Sequence, residues 1–127
     1  MEAALSEPRP VILCVDDEPI PLSLRKSVLE ISGYQVVPAN SGAQALEILE
    51  LQSVDLVLTD MLMPGLSGTE LAREIKQRNP ALPVVLFSGV NEIPEDAAYA
   101  DLFISKVEGP ANLCAKISEI LSKSRKA

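Results

Sequence analysis

The most informative absence in this sequence is histidine, of which the 127 residues contain none. Without an imidazole, the chain cannot supply a histidine general base, a histidine metal ligand or a phosphohistidine of its own. Any chemistry that it performs must therefore use carboxylates, hydroxyls or lysine.

An excess of basic residues is also absent. The formal net charge is −7 and the isoelectric point is near 4.5, so the chain has no basic footprint for a nucleic-acid backbone or an anionic membrane surface. We therefore expect no nucleic acid and no membrane among its direct partners. The acidity favours cations or basic protein surfaces.

Long apolar runs are missing too. None approaches the ~20 residues of a membrane span, and the start, MEAALSEPRP, lacks the basic and apolar regions of a signal peptide. These absences predict a cytoplasmic protein. The 47% hydrophobic content shows no composition break, which predicts one folded domain over residues 10–127 behind a flexible N-terminal tail over residues 1–9.

Cysteine is scarce, with Cys14 in an apolar run and Cys114 in a helical pattern. Their spacing matches neither a metal site nor a disulfide framework. We expect both to be free thiols.

What the chain does contain is five short apolar runs that alternate with helical patterns, and each run is predicted to be a β-strand. The runs are VILCV at 11–15, YQVVP at 34–38, DLVLT at 55–59, VVLF at 84–87 and DLFI at 101–104. Strands that alternate with helices pair in parallel, because each connection has to cross over a face of the sheet. The predicted fold class is therefore α/β, a doubly wound five-stranded parallel sheet with helices on both faces.

Apolar stripes predict two of the helices, the first and the last. Leu24, Val28 and Ile31 keep i, i+4, i+7 spacing in the first helix. Pro110 suits the first turn of the last helix, whose stripe consists of Leu113, Ile117, Ile120 and Leu121.

Capping boxes mark the starts of two further helices. Ser41 is followed three residues later by Gln44, and Ser67 by Glu70. In each pair the serine is expected to accept the amide of the later residue, which in turn reaches back to the helix start.

Polar residues interrupt the pattern at the carboxyl ends of the strands. They are Asp16 and Asp17 after the first strand, Asp60 after the third, Ser88 at the end of the fourth and Lys106 after the fifth. In an open doubly wound sheet, this edge is where ligands bind. Carboxylates that converge there repel one another unless a cation joins them, and Mg²⁺ prefers such oxygen ligands. Together with a hydroxyl and an ammonium group, they predict a phosphorylation site with Asp60 as the nucleophile.

These residues lie in four motifs, VDDEP at 15–19, TDMLMPGLSG at 59–68, VVLFSG at 84–89 and FISK at 103–106. Jointly the motifs resemble the four signatures of response-regulator receiver domains of two-component signal transduction. The resemblance implies a flavodoxin-like receiver fold with strand order 2-1-3-4-5. The first and third strands are neighbours in that order, so Asp16, Asp17 and Asp60 are expected to converge.

The resemblance also implies roles for the acids. Asp60 is the expected phosphoacceptor, which takes a phosphoryl group from a sensor histidine kinase or a phosphotransfer protein. Asp17, the Asp60 side chain and the Leu62 carbonyl are expected to bind Mg²⁺, with Asp16 acting through water.

Three further residues receive roles in the same way. Ser88 is the expected switch hydroxyl, and Lys106 is expected to contact the phosphoryl group. Phe103 stands where the family has a switch aromatic, but an aromatic residue near a strand end is also a usual core residue, so both interpretations stay open.

Two of the features that depart from the family bear on the structure after Ser88. The segment between Ser88 and Lys106 is shorter than the family norm by about one helical turn and contains Pro94, so we expect a shortened fourth helix. Val107 follows Lys106 where the family usually has proline. We expect a trans bond there, because a cis bond without proline costs ~3–4 kcal/mol.

The predicted function is a stand-alone phosphorylation switch, not an enzyme, which signals by binding an unknown output protein as a monomer or weak dimer. No output domain fits after Ala127 unless the chain is a fragment of a longer product. One alternative is a degenerate receiver that acts as a constitutive interaction module. The other is a Mg²⁺-dependent aspartyl-phosphate phosphohydrolase, which commonly has Asp-x-Asp where Asp16 and Asp17 are adjacent here.

Overall fold

The computed structural model describes residues 9–88, 100–105 and 109–126, without the side chains of residues 124–126. Along the chain its elements are β1 (Val11–Val15), α1 (Pro19–Ile31), β2 (Gln35–Ala39), α2 (Gly42–Leu51), β3 (Leu56–Asp60), α3 (Gly68–Arg78), β4 (Val84–Ser88), β5 (Leu102–Ser105) and α4 (Pro110–Lys126).

The expectations for three parts of the backbone fall outside the described residues. They concern the N-terminal tail, of which residues 1–8 are not described, the shortened helix between the fourth and fifth strands, and the bond between Lys106 and Val107. All three stay predictions.

The five strands form one parallel sheet in the order β2-β1-β3-β4-β5, as the resemblance implied. β3 and β4 are buried along their whole length. Central parallel strands are covered on both faces, which explains why they read as continuous apolar runs.

Three strands begin one residue later than predicted, and the residue before each one makes a hydrogen bond at that boundary. Tyr34 donates its amide to the turn that ends α1. The carboxylates of Asp55 and Asp101 accept backbone amides at the starts of β1 and β4, both at 2.7 Å. At the other end, Asp60 and Ser88 are the last residues of β3 and β4, so Asp60 lies inside its strand and not after it.

An apolar layer fills each space between the sheet and the helices. The layer under α1 and α4 consists of Ile12, Cys14, Leu22, Leu29, Leu56, Leu58, Val85, Phe87, Ile104, Leu113, Ile117 and Leu121. The layer under α2 and α3 consists of Leu13, Val15, Ala39, Ala45, Val57, Met63, Leu71, Ala72, Ile75, Leu82 and Val84. Successive strand residues alternate between the two layers, as the pleat requires. The stripe predicted for the last helix is confirmed, with Ile120 packed at its margin. Across the described chain, no helix combines the length and apolar character needed to cross a membrane.

The prediction that Leu24, Val28 and Ile31 form the buried stripe of α1 is wrong. Leu24 and Ile31 are 64% and 86% exposed, and the buried residues of the helix are Leu22, Arg25 and Leu29. Both sets keep helical spacing, so periodicity alone could not choose between them. The buried set was hidden because an arginine occupies its middle position.

The predicted caps are present, one of them in altered form. Ser67 and Glu70 form the complete capping box of α3, with bonds of 3.2 Å and 3.0 Å. Ser41 accepts the Gln44 amide at 3.0 Å, but the Gln44 side chain bonds to the amide of Asn40 instead of Ser41.

Gly68, the first residue of α3, lies directly against the end of β3. A Cβ atom on Gly68 would collide with the Asp60 carbonyl oxygen and come within 2.8 Å of the Met61 Cα, and neither backbone atom can turn aside. The Gly68 amide donates to the Met61 carbonyl at 2.9 Å, which holds the two segments together. Space, and not an unusual backbone angle, therefore requires glycine here.

Substituting Gly68→Ala is expected to destabilise the fold by about 1–3 kcal/mol, because the added methyl group has to displace the connection between β3 and α3. Gly109→Ala is the matched control, since a Cβ on Gly109 meets no atom within 4 Å. We expect the control to change the free energy of unfolding by less than about 0.5 kcal/mol. Urea denaturation followed by circular dichroism measures the stability of both variants. Equal denaturation midpoints for the two variants would contradict the conclusion that lack of space requires glycine at position 68.

Candidate functional site

Three carboxylates meet at the carboxyl edge of the sheet, and we call Asp16, Asp17 and Asp60 the acidic cluster. One side-chain oxygen of each lies within 4.8 Å of the others. Asp16 is fully buried and Asp60 is 7% exposed, whereas Asp17 is partly open to solvent. The structure thus brings the three acids together on a site with one open side.

Backbone pairing fixes the position of this cluster. Val15 pairs with Thr59 in the register of β1 and β3, so the residues that follow, Asp16 and Asp60, are level at the sheet edge. Asp60 pairs on its other side with Phe87 of β4. The buried Thr59 hydroxyl donates to the Asp60 carbonyl at 3.0 Å. The sheet, and not a loop, therefore determines where the nucleophile candidate lies.

Both carboxylate oxygens of Asp16 accept hydrogen bonds from the protein. Oδ1 accepts the Glu18 amide at 2.9 Å, and Oδ2 accepts Nη1 of Arg25 at 3.0 Å. The second contact is an ion pair whose side chains are 0% and 7% exposed. The charge of Asp16 is therefore compensated inside the protein.

Sequence reasoning missed Arg25. Its guanidinium carbon lies 4.5 Å from the centroid of the Phe87 ring, a cation–π arrangement that holds the group in place. Arg25 thus contacts both the residue that follows β1 and the penultimate residue of β4. The only available signal was its i, i+3, i+7 spacing between Leu22 and Leu29, which sets a charged residue on an apolar stripe.

The two cysteines are free, as predicted. Burial raises the pKa of the Cys14 thiol to about 11, and the charge of the neighbouring Arg25 opposes part of that rise. Cys114 is half-buried, with its sulfur 3.1 Å from the Ser32 hydroxyl. Cys14 is therefore a protonated core residue under ordinary conditions.

The structure describes three of the other four predicted site residues. Ser88 is 2% exposed and follows the β4 residue that pairs with Asp60. Leu62, two residues beyond Asp60, has a 63% exposed side chain, and Phe103 is half-buried on β5. Lys106 lies outside the described residues. The roles expected of these four residues stay predictions.

The donors of the acidic cluster fit a hard divalent cation. Mg²⁺ is usually held by one or two carboxylates and keeps several of its waters. Closely spaced oxygens of Asp17 and Asp60, with solvent access on the side of Asp17, meet this requirement.

Comparison with known proteins identifies the family. A family model described as the response regulator receiver domain matches residues 12–118. The chain therefore belongs to the response-regulator receiver family, and it is a receiver domain of the two-component type.

Individual relatives agree with this assignment. The transcriptional regulatory protein GlrR of Escherichia coli K12 is 39% identical over 87 residues, which are 68% of this chain and 20% of that protein. The alkaline phosphatase synthesis transcriptional regulatory protein PhoP of Bacillus subtilis is 31% identical over 117 residues, which are 89% of this chain and 49% of that protein. This chain thus spans between a fifth and a half of the length of these relatives.

A solved structure of similar fold aligns with this chain over nearly the whole length of the solved protein. The response regulator protein TrrA from Thermotoga maritima, in complex with Mg²⁺–BeF, is 31% identical and aligns with a TM-score of 0.84. The alignment covers 87% of this chain and 98% of TrrA.

Thiol labelling tests the environment of Cys14. At about pH 8, a disulfide reagent is expected to modify Cys114 and to leave Cys14 unmodified, because Cys14 is buried and holds little thiolate below its raised pKa of about 11. In denaturant both thiols should react. A Cys114→Ser variant provides the control and should show no rapid native labelling. Rapid labelling of that variant would refute the expected protection of Cys14.

Proposed function

We propose that this chain is the phosphoacceptor switch of a two-component system. Asp60 takes a phosphoryl group from a histidine of a sensor kinase or phosphotransfer protein, and the phosphorylated form signals by binding another protein. The observation that carries the proposal is the position of Asp60 at the buried end of β3, within 4.8 Å of the oxygens of Asp16 and Asp17.

A bound cation completes this proposal. Asp17, Asp60 and the Leu62 carbonyl would hold Mg²⁺, as expected from the family motifs. When bound, Mg²⁺ neutralises negative charge on the oxygens of the transferring phosphoryl group. The complex of TrrA with Mg²⁺–BeF supports the same choice of cation for this chain.

The proposed transfer is a displacement at phosphorus. A carboxylate oxygen of Asp60 attacks and forms a P–O bond, while the P–N bond to the partner's histidine breaks and its electron pair remains on the imidazole nitrogen. The Ser88 hydroxyl would donate a hydrogen bond to a phosphoryl oxygen, and the Lys106 ammonium would pair with its charge. Since this chain contains no histidine, the donor histidine has to come from the partner.

The signal in this proposal is a local change of charge. Phosphorylation adds negative charge and strong acceptor oxygens at Asp60, which draws the Ser88 hydroxyl inward and allows Phe103 to follow. The output is a changed surface that an as yet unidentified protein recognises. We propose a monomer or weak dimer as the working state.

Incubation with acetyl phosphate and Mg²⁺ is expected to add one phosphoryl group, at Asp60 only. An Asp60→Asn variant should take up none, because an amide cannot act as the nucleophile. Glu119→Gln removes an exposed acid elsewhere and serves as the charge control. Intact-mass spectrometry measures the addition.

Other outcomes of the same experiment favour the alternatives. Labelling of Asp60→Asn to the level of the unsubstituted chain would contradict the assignment of the acceptor. An unsubstituted chain that takes up no label would favour the constitutive interaction module. Continuous turnover of a simple phosphate ester would favour the phosphohydrolase.

Asp17→Ala is expected to abolish Mg²⁺-dependent labelling and to leave the fold intact, since it removes a metal ligand and relieves repulsion in the acidic cluster. The melting temperature without metal should be unchanged or higher. Glu18→Ala is a matched control, because Glu18 is the adjacent exposed acid and its side chain makes no capping bond. Retention of Mg²⁺ affinity by Asp17→Ala would exclude Asp17 as a ligand.

A further inference from the structure

The ion pair between Arg25 and Asp16 lies beside the candidate metal site and has no role in the proposed phosphoryl transfer. The two side chains are nearly inaccessible, and Nη1 lies 3.0 Å from Oδ2. Phe87 supports the guanidinium from a centroid distance of 4.5 Å. An arginine held in this way is a permanent positive charge at a fixed position, because guanidinium stays protonated in proteins.

This fixed charge changes what the acidic cluster can offer a metal. Both oxygens of Asp16 already accept protein donors, one from the Glu18 amide and one from Arg25. Arg25 therefore offsets one of the three carboxylate charges of the cluster before any metal binds. Asp17 and Asp60 are the other two acids of the cluster, and Asp17 lies on the open side of the site.

We propose that Arg25 is a positioning residue that acts as a resident counter-charge for Asp16, removes this acid from the set that binds Mg²⁺, and thereby weakens the site's affinity for the metal. The inference rests on the proposed Mg²⁺-dependent function. It also differs from the family expectation in which Asp16 acts on Mg²⁺ through water, because Asp16 is instead bound to a cation supplied by the chain.

The alternative is that Arg25 only fills space on the buried face of α1. Packing and charge make different predictions. If Arg25 only packs, its replacement lowers stability and leaves the metal affinity unchanged. If it compensates Asp16, its replacement releases a buried carboxylate beside the metal, and Mg²⁺ then binds more tightly.

The experiment compares the unsubstituted chain with Arg25→Met, Arg25→Lys and the double variant Asp16→Asn, Arg25→Met. Methionine keeps the length of the stem and its contact with the aromatic ring, and lysine keeps the charge without the planar fork. Arg78→Met controls for the loss of one positive charge, since Arg78 is a half-exposed residue paired with Glu50. Mg²⁺ dissociation constants are measured by titration calorimetry at constant ionic strength, and melting temperatures with and without Mg²⁺.

The expected results separate the variants clearly. Arg25→Met should bind Mg²⁺ on the order of tenfold more tightly. Without metal it should melt roughly 10 °C lower, because Asp16 is then buried without its counter-charge, and Mg²⁺ should restore much of the loss. Arg25→Lys and Arg78→Met should retain the affinity of the unsubstituted chain. The double variant should retain that affinity too, because the pair that it removes is electrically neutral.

Two outcomes overturn the inference alone. The first is that Arg25→Met binds Mg²⁺ with a dissociation constant within about twofold of that of the unsubstituted chain. The second is that the double variant binds Mg²⁺ at least about tenfold more weakly than the unsubstituted chain, which would show that Asp16 serves the metal directly. The double variant keeps the test decisive if Arg25→Met does not fold, since it leaves no unpaired buried charge. An unsubstituted chain that binds no Mg²⁺ would instead overturn the proposed function, and this inference with it.

Discussion

The parallel pairing of β1 with β3 is the constraint on which the rest of the site depends. The register that places Val15 beside Thr59 makes Asp16 and Asp60 neighbours at the carboxyl edge. Because side chains alternate along a strand, a slip of one residue in β3 would turn Asp60 toward the opposite face. The apolar layers on both faces oppose such a slip, since it would exchange every buried side chain of a fully buried strand. The position of one carboxylate is thus specified by the burial of the whole strand.

A site built in this way brings negatively charged carboxylates close together inside the protein, and nearby groups have to stabilise their charge. Two of the three acids are almost completely buried, and burial of charge is unfavourable unless the charge is paired or hydrogen-bonded. Asp16 receives a backbone amide and a guanidinium group. Such a buried pair is weak evidence for stability, because desolvation of both partners offsets much of their attraction. Its significance lies instead in determining which of the acids remain available to an external cation.

The sequence predicted the parts of this structure that arise from local patterns. Apolar runs located the five strands, and the polar residues that end them located the edge on which Asp16 and Asp60 meet. The strand order came from the motifs, because nothing in the apolar pattern distinguishes one parallel order from another. The buried face of α1 could not be predicted, since Leu24 belongs to a stripe as regular as the buried one. The partners of the buried arginine on that face, Asp16 and Phe87, are contacts across the fold that no local pattern reveals.

The guanidinium of Arg25 and the proposed metal ion differ in a way that bears on the proposed switch. A guanidinium carried by α1 cannot leave, whereas a metal ion held on the side of Asp17 would exchange with solvent. With Arg25 in place, the buried charge of Asp16 is compensated whether or not metal is bound, so the fold does not rely on Mg²⁺ to neutralise it. Asp17 and Asp60 would then remain to respond to the proposed metal ion and to the phosphoryl group. A chain that assigns one acid to a permanent partner in this way separates the charge that its fold has to tolerate from the charge that its proposed switch uses.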